Sequence, residues 1–118
     1  KTKFIVAILN DEIVGFCRYI DNDNHYYEFS DIDCEIIALY VKKEKSRLGI
    51  GKKIFQYVID DFKNNDKNKM IIWCLKENYN ARKFYEKMGG KIKGEHYITF
   101  GEKEYLEVGY EFLVNEEN

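Results

Sequence analysis

Apolar residues recur along the chain in spacings that predict six strands. Residues 3–9 and 13–20 lie on either side of Asn10-Asp11-Glu12 and predict a β-hairpin. Residues 34–41 (CEIIALYV) form the most apolar run and predict a strand buried on both faces. Residues 69–75 (KMIIWCL) predict a further buried strand. The remaining two strands are predicted near the end of the chain, at residues 96–100 and 105–113 around a turn at Gly101-Glu102-Lys103.

A helical spacing marks two other segments. The first is an amphipathic helix that ends near residues 64–65 and repeats apolar residues every four positions, at Ile50, Ile54, Val58 and Phe62. The second is a short helix capped by Asn78 or Asn80 and ended by Gly89 or Gly90. The predicted order is therefore β-β-β-α-β-α-β-β, a mixed α/β (α+β) fold in a single domain over residues 1–118.

The composition becomes informative about function when the charged residues are counted segment by segment. The 118 residues carry a net charge of −2, but residues 1–40 hold three basic and eight acidic groups, whereas residues 41–53 hold six basic groups and one acidic group. One concentrated basic block predicts a small anionic ligand better than nucleic acid, whose binders usually spread positive charge over a whole domain. A small RNA-binding domain remains a third hypothesis, and it predicts salt-dependent binding of RNA.

Several classes of protein and site are disfavoured by the sequence. It has no apolar run of the ~18 residues that a membrane span needs, so we expect no membrane partner. The three well-separated cysteines predict reduced thiols in a cytoplasmic protein. His25 and His96 lack a metal-ligand spacing with the cysteines, and we therefore expect no metal site.

The basic block, VKKEKSRLGIGKK at residues 41–53, lies between a predicted strand and a predicted helix. Unbonded N–H groups and the helix dipole make a helix start attractive to anions. Gly49 and Gly51 allow close approach of the backbone and unusual φ angles, and Lys52 adds charge. Walker A and dinucleotide glycine patterns both fail here, and the alternative is a tight turn with a solvated basic face.

This segment, EIIALYVKKEKSRLGIGKKIF, resembles motif A of the GNAT superfamily of acyl-CoA-dependent N-acyltransferases. In that motif a strand is followed by Gln/Arg-x-x-Gly-x-Gly/Ala and a helix. Ser46 stands at the Gln/Arg position, so the match departs there, and the neighbouring Arg47 could compensate in part.

A second segment, NYNARKFYEKMGG at residues 78–90, resembles motif B of the same superfamily. Five positions match that motif, namely Asn78, Ala81, Phe84, Tyr85 and Gly89. Gly90 replaces the usual Phe. Two motifs in this order, with a helix and a strand between them, extend the resemblance over essentially the whole chain.

The resemblance implies a coenzyme A site at motif A. The strands at 34–41 and 69–75 would splay apart, and the pantetheine arm would pair with the backbone of Leu39, Tyr40 and Val41. The pyrophosphate would bind the loop that follows, at Arg47, Leu48, Gly49, Ile50, Gly51 and Lys52. Asn78 would either cap its helix or contact the coenzyme A arm.

The resemblance also implies catalytic roles. Tyr85 would be the general acid, since an ordinary Tyr pKa of about 10 keeps it protonated until a thiolate forms beside it; the alternative is a core tyrosine. Glu35 would be the base, because it lies eleven residues before Ser46, as the strand glutamate does in histone-type members. Strand alternation predicts that Glu35 shares a face with Leu39, where apolar neighbours would raise its pKa.

Two alternatives to Glu35 as the base stay open. Glu35 could belong to an exposed acidic rim at the start of its strand. A water relayed by backbone carbonyls could take the proton, so that the site has no dedicated base.

The function implied is direct transfer of the acetyl group of acetyl-CoA, without a metal, to a primary amine of a small molecule or peptide. The alternative is a non-catalytic acyl-CoA-binding module of the same fold. The family fold normally begins with a strand and two helices before the hairpin. We therefore expect a chain that is truncated at its N-terminus or completed by a partner subunit, with a homodimer left open.

An acidic segment before the third strand is a candidate acceptor-contacting region. It contains His25, Tyr26 and Tyr27 and five acidic residues, namely Asp21, Asp23, Glu28, Asp31 and Asp33. Its charge could attract a cationic amine. The alternative is a solvated acidic loop.

Overall fold

The computed structural model describes residues 2–21 and 29–115. Its elements are β1 (Thr2–Leu9), β2 (Glu12–Ile20), β3 (Cys34–Val41), a 3₁₀ helix (Lys43–Leu48), α1 (Ile50–Asn64), β4 (Lys69–Leu75), α2 (Tyr79–Lys87), β5 (Lys91–Phe100) and β6 (Lys103–Leu113). The predicted order of strands and α-helices is confirmed, and the 3₁₀ helix is an addition to it. No helix among the described residues is long and apolar enough to cross a membrane.

The described residues form two compact units. The first unit runs to Met70 and includes the chain from Leu113 onward, and the second unit is Ile71–Phe112. In the first unit β1, β2 and β3 are neighbours in that order and are antiparallel. In the second unit the order is β4-β6-β5, and β5 and β6 are antiparallel.

The first unit begins with the predicted hairpin. Leu9 pairs with Glu12, so the turn is only Asn10 and Asp11, and Glu12 belongs to β2. Both turn residues have positive φ angles, 53° and 66°, which is the conformation that favours Asn and Asp in two-residue hairpin turns.

The core of the first unit lies between this sheet and α1. The buried face of α1 consists of Ile54, Phe55, Val58, Ile59 and Phe62. From β2, Cys17 and Tyr19 are buried, and burial raises the pKa of the Cys17 thiol to about 12. The Tyr19 hydroxyl donates to Asp61 at 2.8 Å, so the one polar atom of that ring has a partner on α1.

Strand β3 is not buried on both faces as predicted. Ile37 is 37% exposed and Tyr40 is 51% exposed. The register explains part of the difference, because Tyr19 pairs with Ile36 while its neighbour Arg18 pairs with Ala38. Ile37 is therefore an extra residue in β3, and such a bulge reverses the alternation of faces beyond it.

The second unit contains the hairpin of β5 and β6. Phe100 pairs with Lys103, so the turn is Gly101 and Glu102, and the predicted three-residue turn is wrong. Gly101 has φ +61°, a conformation that glycine readily adopts at the first position of such a turn. Strand β5 begins at Lys91 rather than at residue 96, since Lys91 and Ile92 already pair with Glu111 and Tyr110 of β6.

Helix α2 packs on one side of the second unit. Asn78, not Asn80, is its cap, since the Asn78 side chain accepts a hydrogen bond from the Ala81 N–H at 3.2 Å. Gly89 follows the helix with φ +104°, as a residue after a helix C-terminus often requires. Tyr85 is only 7% exposed, and its ring lies 6.0 Å from that of Tyr110 in β6.

Candidate active site

The N-terminus of α1 is open to an anion. Its cap residue, Gly49, has φ +76° and ψ 15°, and no side chain caps the helix. The first hydrogen bond within the helix runs from the Lys53 N–H to the Gly49 carbonyl at 3.1 Å. The N–H groups of Ile50, Gly51 and Lys52 come before this bond, so they lie outside the hydrogen bonds of α1 itself. Backbone donors and the helix dipole therefore coincide here.

The charges around this helix start are basic. The first turn of α1 contains Lys52 and Lys53 and no acidic residue. The last turn of the 3₁₀ helix contributes Lys45 and Arg47. Lys42, by contrast, forms an ion pair with Glu12, and the hydrogen bond that it donates to the Glu12 carboxylate raises the Lys42 pKa. The uncapped helix and its basic neighbours together form a site suited to phosphate groups.

Two residues of the predicted phosphate loop differ from expectation. Gly51 is the second residue of α1, so it is helical and does not need the unusual φ that was predicted for it; only Gly49 does. Ser46 donates its hydroxyl to the Lys43 carbonyl at 2.9 Å, inside the 3₁₀ helix. The side chain at the family's Gln/Arg position is thus engaged locally.

The end of β3 leads into this site. Leu39, Tyr40 and Val41 pair with Cys17, Phe16 and Gly15 of β2. This pairing fixes the backbone of the three residues along the edge of β3 that faces β2. Their predicted role in pairing with a pantetheine arm stays a prediction.

The structure corrects the face assigned to Glu35. Glu35 lies opposite Ile20, whereas Leu39 lies opposite Cys17. Ile20 and Cys17 have opposite parity on β2, so Glu35 and Leu39 lie on opposite faces of β3. The alternation argument failed because the bulge at Ile37 reverses parity. Glu35 instead shares the face of Phe16 and Tyr40, whose rings are 5.6 Å apart.

In the second unit, α2 carries both motif B candidates. Tyr85 is buried, and Asn78 caps the helix that presents it. A polar network fixes the helix to β6: Arg82 Nε donates to the Tyr110 hydroxyl at 3.0 Å, which donates to Glu86 at 2.6 Å. Burial and the bond to Glu86 raise the Tyr110 pKa. Hydrogen bonds between side chains, as well as apolar packing, thus fix the position of α2 on β6.

One cluster in the second unit was missed at the level of sequence. The Trp73 and His96 rings stack with centroids 3.8 Å apart, and His96 Nε2 is 2.8 Å from Glu107 Oε1. The assumed three-residue turn would have placed His96 opposite Val108. A two-residue turn at Gly101, which the sequence also allows, places His96 opposite Glu107 and would have revealed the pair.

The acidic segment is only partly described. Asp21 pairs with Lys3 at 3.3 Å, and Asp31 pairs with Lys69 at 3.1 Å. Asp33 accepts hydrogen bonds from two backbone N–H groups, those of Asn68 and Lys69. These four contacts favour a structural role for the described part. The other residues, Asp23, His25, Tyr26, Tyr27 and Glu28, lie outside the described residues.

Comparison with known proteins decides the family. The sequence pattern of the acetyltransferase (GNAT) family matches residues 1–90. The chain belongs to the GNAT family. The structural neighbours agree with its mixed α+β fold and mostly antiparallel strands. Among the described residues, no three His, Cys, Asp or Glu side chains are grouped to hold a metal ion.

Three relatives illustrate the match. An uncharacterized N-acetyltransferase of Lactobacillus delbrueckii subsp. lactis is 25% identical over 101 residues, which cover 84% of this chain and 57% of that protein. The Streptococcus mutans UA159 protein smu.2055 superposes with a TM-score of 0.76 at 25% identity, covering 97% of this chain and 71% of that one.

The third relative, from Bacillus anthracis str. Ames, is named a streptothricin acetyltransferase, and its crystal structure contains acetyl coenzyme A. It superposes with a TM-score of 0.78 at 21% identity, covering 93% of this chain and 61% of that one, and at this identity the likeness shows the fold alone. This GNAT chain spans just over half the length of its Lactobacillus relative.

Proposed function

We propose that this GNAT chain binds acetyl-CoA through the N-terminus of α1 and transfers the acetyl group to a primary amine of a small molecule or peptide. The observation that carries the proposal is the helix start at Gly49, which has no side-chain cap, no acidic residue in its first turn and two lysines there. A diphosphate is the ligand that such backbone donors, dipole and charges favour.

The acetyl transfer needs few groups from the protein. Holding the thioester and the amine in place supplies the largest share of the rate, on the order of 7–11 kcal/mol. In the proposal, Tyr85 gives a proton to the departing thiolate of coenzyme A. The support for this role is the motif B match at Tyr85 and the anchoring of its helix through Arg82 and Tyr110.

The first test is binding and turnover in the purified protein. Calorimetric titration with acetyl-CoA should show binding that weakens when Lys52 and Lys53 are both changed to Ala. Release of free thiol from acetyl-CoA should then depend on an added amine, with spermidine, tyramine, kanamycin and a lysine-containing peptide as probes. Failure to bind acetyl-CoA would overturn the proposal.

The second test isolates Tyr85. Tyr85→Phe should lower kcat by about 10²-fold, the lower end of what a general acid contributes, and leave acetyl-CoA binding unchanged. Tyr79→Phe is the matched control, since it removes one hydroxyl from the same helix at a residue that is 66% exposed. Equal kcat values for the two variants would remove Tyr85 from the mechanism.

An acyl-CoA-binding module without catalysis is the second candidate. It is favoured by Ser46 at the family's Gln/Arg position. The serine side chain is short, and its hydroxyl is already bonded to the Lys43 carbonyl. This candidate predicts acetyl-CoA binding with no amine-dependent thiol release, and no effect of Tyr85→Phe.

A further inference from the structure

Strand β1 presents a row of apolar side chains on the side of the sheet away from α1. Lys3 shows which side faces α1, because its ammonium donates to the Asp61 carboxylate of that helix at 3.0 Å. Successive side chains of a strand point to opposite faces, so Phe4, Val6 and Ile8 point away from α1. They are 58%, 43% and 64% exposed. Antiparallel sheets usually carry polar residues on a solvated face, so this row indicates a surface that another molecule covers.

The apolar row continues onto β2 and β3. Val6 pairs with Phe16, which in turn pairs with Tyr40. Ile8 pairs with Ile13. Directly paired residues share a face of the sheet, so all of these side chains lie on the side away from α1. Ile13 and Tyr40 are 59% and 51% exposed. We call this surface the outer face, and it consists of Phe4, Val6, Ile8, Ile13, Phe16 and Tyr40.

Three aromatic rings form a row across the outer face, one from each strand. The Phe4 and Phe16 rings have centroids 5.5 Å apart, and the Phe16 and Tyr40 rings have centroids 5.6 Å apart. Contacts between the rings restrict their orientations before any partner binds, so less side-chain entropy is lost on association. Aromatic residues are enriched in the buried centres of protein–protein interfaces. The aromatic row therefore has the composition of an interface centre.

The outer face is large enough for a stable dimer. Its exposed fractions correspond to roughly 500 Å² of apolar surface, if an aromatic side chain has about 150–250 Å² in all. A standard interface takes about 800 Å² from each partner, of which about 60% is apolar. One outer face therefore supplies about the apolar area that each copy contributes to a standard dimer.

The charge of the outer face suits a second copy of the same chain. On the same side of β1, β2 and β3, the charged residues are Arg18, which pairs with Phe4, and Glu35, which pairs with Ile20. One positive and one negative charge leave this side neutral, so two copies do not repel each other there. A face of one sign would instead select a partner of opposite charge. The balance of charge therefore favours a copy of this chain over a charged partner.

We propose that two copies of this chain form a dimer by packing their outer faces against each other. Each copy contributes three strands of its first unit, and two sheets that pack face to face lie about 10 Å apart with interdigitated side chains. A two-fold axis uses the same surface on both copies, so every contact occurs twice. The dimer does not depend on acetyl transfer, because its interface is a face of β1, β2 and β3 and not the start of α1.

Analytical ultracentrifugation of the 118-residue chain tests the dimer. At about 50 µM chain we expect twice the mass of one chain, since interfaces of standard size bind at micromolar concentrations or below. The mass of a single chain at this concentration would overturn the proposal. A mass that grows without limit as the concentration rises would also contradict it, because a two-fold interface is closed. A single chain that binds phosphatidylcholine vesicles would assign the outer face to a lipid surface instead.

Phe4→Glu places a charge in the aromatic row of the outer face. We expect it to raise the dissociation constant of the dimer by about 10²-fold or more, because the buried charge occurs twice. Tyr57→Glu is the matched control, since Tyr57 is also aromatic and 58% exposed but lies on α1. It should leave the dissociation constant within about twofold. Equal effects of the two changes, or no effect of Phe4→Glu, would show that the outer face is not the interface.

Ile8→Thr provides a second variant in case Phe4→Glu does not fold. Threonine favours strands as isoleucine does, but its hydroxyl would lose hydrogen bonds with water inside an apolar interface. We expect association about tenfold weaker than in the unaltered chain, with an unchanged circular dichroism spectrum. A folded Ile8→Thr variant that associates as tightly as the unaltered chain would contradict the proposal.

Oxidative footprinting locates the buried surface without any substitution. Hydroxyl radicals modify exposed aromatic side chains, and mass spectrometry identifies the modified residues. Between a dilute sample and a dimeric sample, we expect Phe4 and Tyr40 to become protected while Tyr57 stays reactive. Unchanged reactivity of Phe4 and Tyr40 in a dimeric sample would place the interface on another surface and overturn the proposal.

Discussion

Gly49 in the first unit and Gly90 in the second are both glycines at a helix boundary, and each is required for a different reason. Gly49 has φ +76°, and a Cβ atom there would meet nothing within 4 Å. Gly90 lies outside the left-handed region, but a Cβ atom there would come within 2.6 Å of Phe112 and 3.0 Å of the Tyr85 carbonyl oxygen. The first is constrained by backbone conformation and the second by space.

This contrast extends to the chemistry that the two units offer. The anion site of the first unit is made of backbone N–H groups, a dipole and surface lysines, so it needs few particular side chains. In the second unit, Tyr85 lies against the rings of Phe84 and Tyr110, and the His96 ring stacks on Trp73. A binding site made of backbone groups tolerates substitutions around its glycine. A site made of side chains depends on the residues that pack against them.

The largest expected effect comes from filling the space at Gly90. Gly90→Ala should destabilise the protein by about 1–3 kcal/mol, because the added methyl group must displace the buried Phe112 ring or the backbone at Tyr85. The measurement is the free energy of unfolding in urea.

A double-mutant cycle with Phe112→Leu tests the cause. If the ring is the obstacle, the two changes together cost less than the sum of each alone. Simple additivity would show that the backbone contact with Tyr85, not Phe112, sets the penalty.

A smaller effect is expected from changing the backbone at Gly49. Gly49→Ala should cost roughly 1–2 kcal/mol from its left-handed conformation and weaken acetyl-CoA binding about tenfold, because the N–H groups of the helix start would turn. Calorimetric titration and urea unfolding measure the two effects.

Gly101→Ala is the matched control for Gly49→Ala. Gly101 also has positive φ, +61°, and open space around a Cβ atom, but it lies in the hairpin turn of β5 and β6. Its variant should lose similar stability and keep its affinity for acetyl-CoA. Equal loss of affinity in both variants would mean that Gly49 acts through stability alone.

The sequence predicted best what depends on local pattern. The order of elements, the glycine before α1 and the Asn78 cap all follow from residues within one turn of each other. Patterns of this kind indicate the backbone conformation directly, because only a few residue types favour a positive φ angle or cap a helix.

The sequence predicted least what depends on register. The bulge at Ile37 changed the face of Glu35, and the two-residue turn at Gly101 paired His96 with Glu107. A shift of one residue in register moves every later side chain to the other face of the sheet. No single residue type marks the place of such a shift. The face of Glu35 was therefore predicted wrongly, and the contact between His96 and Glu107 was not foreseen.

The smallest expected effect separates two roles of Asn78. Asn78→Ala should cost about 1 kcal/mol because the Ala81 N–H loses its cap, whereas Asn80→Ala, two residues along, should cost nothing. Asn78→Ser should restore most of the stability, since a serine hydroxyl also caps. If Asn78 only caps, Asn78→Ser also keeps the affinity for acetyl-CoA in titration. Weakened binding in that stable variant would instead make the Asn78 amide a contact of the coenzyme A arm, in addition to the backbone N–H groups and lysines at the start of α1.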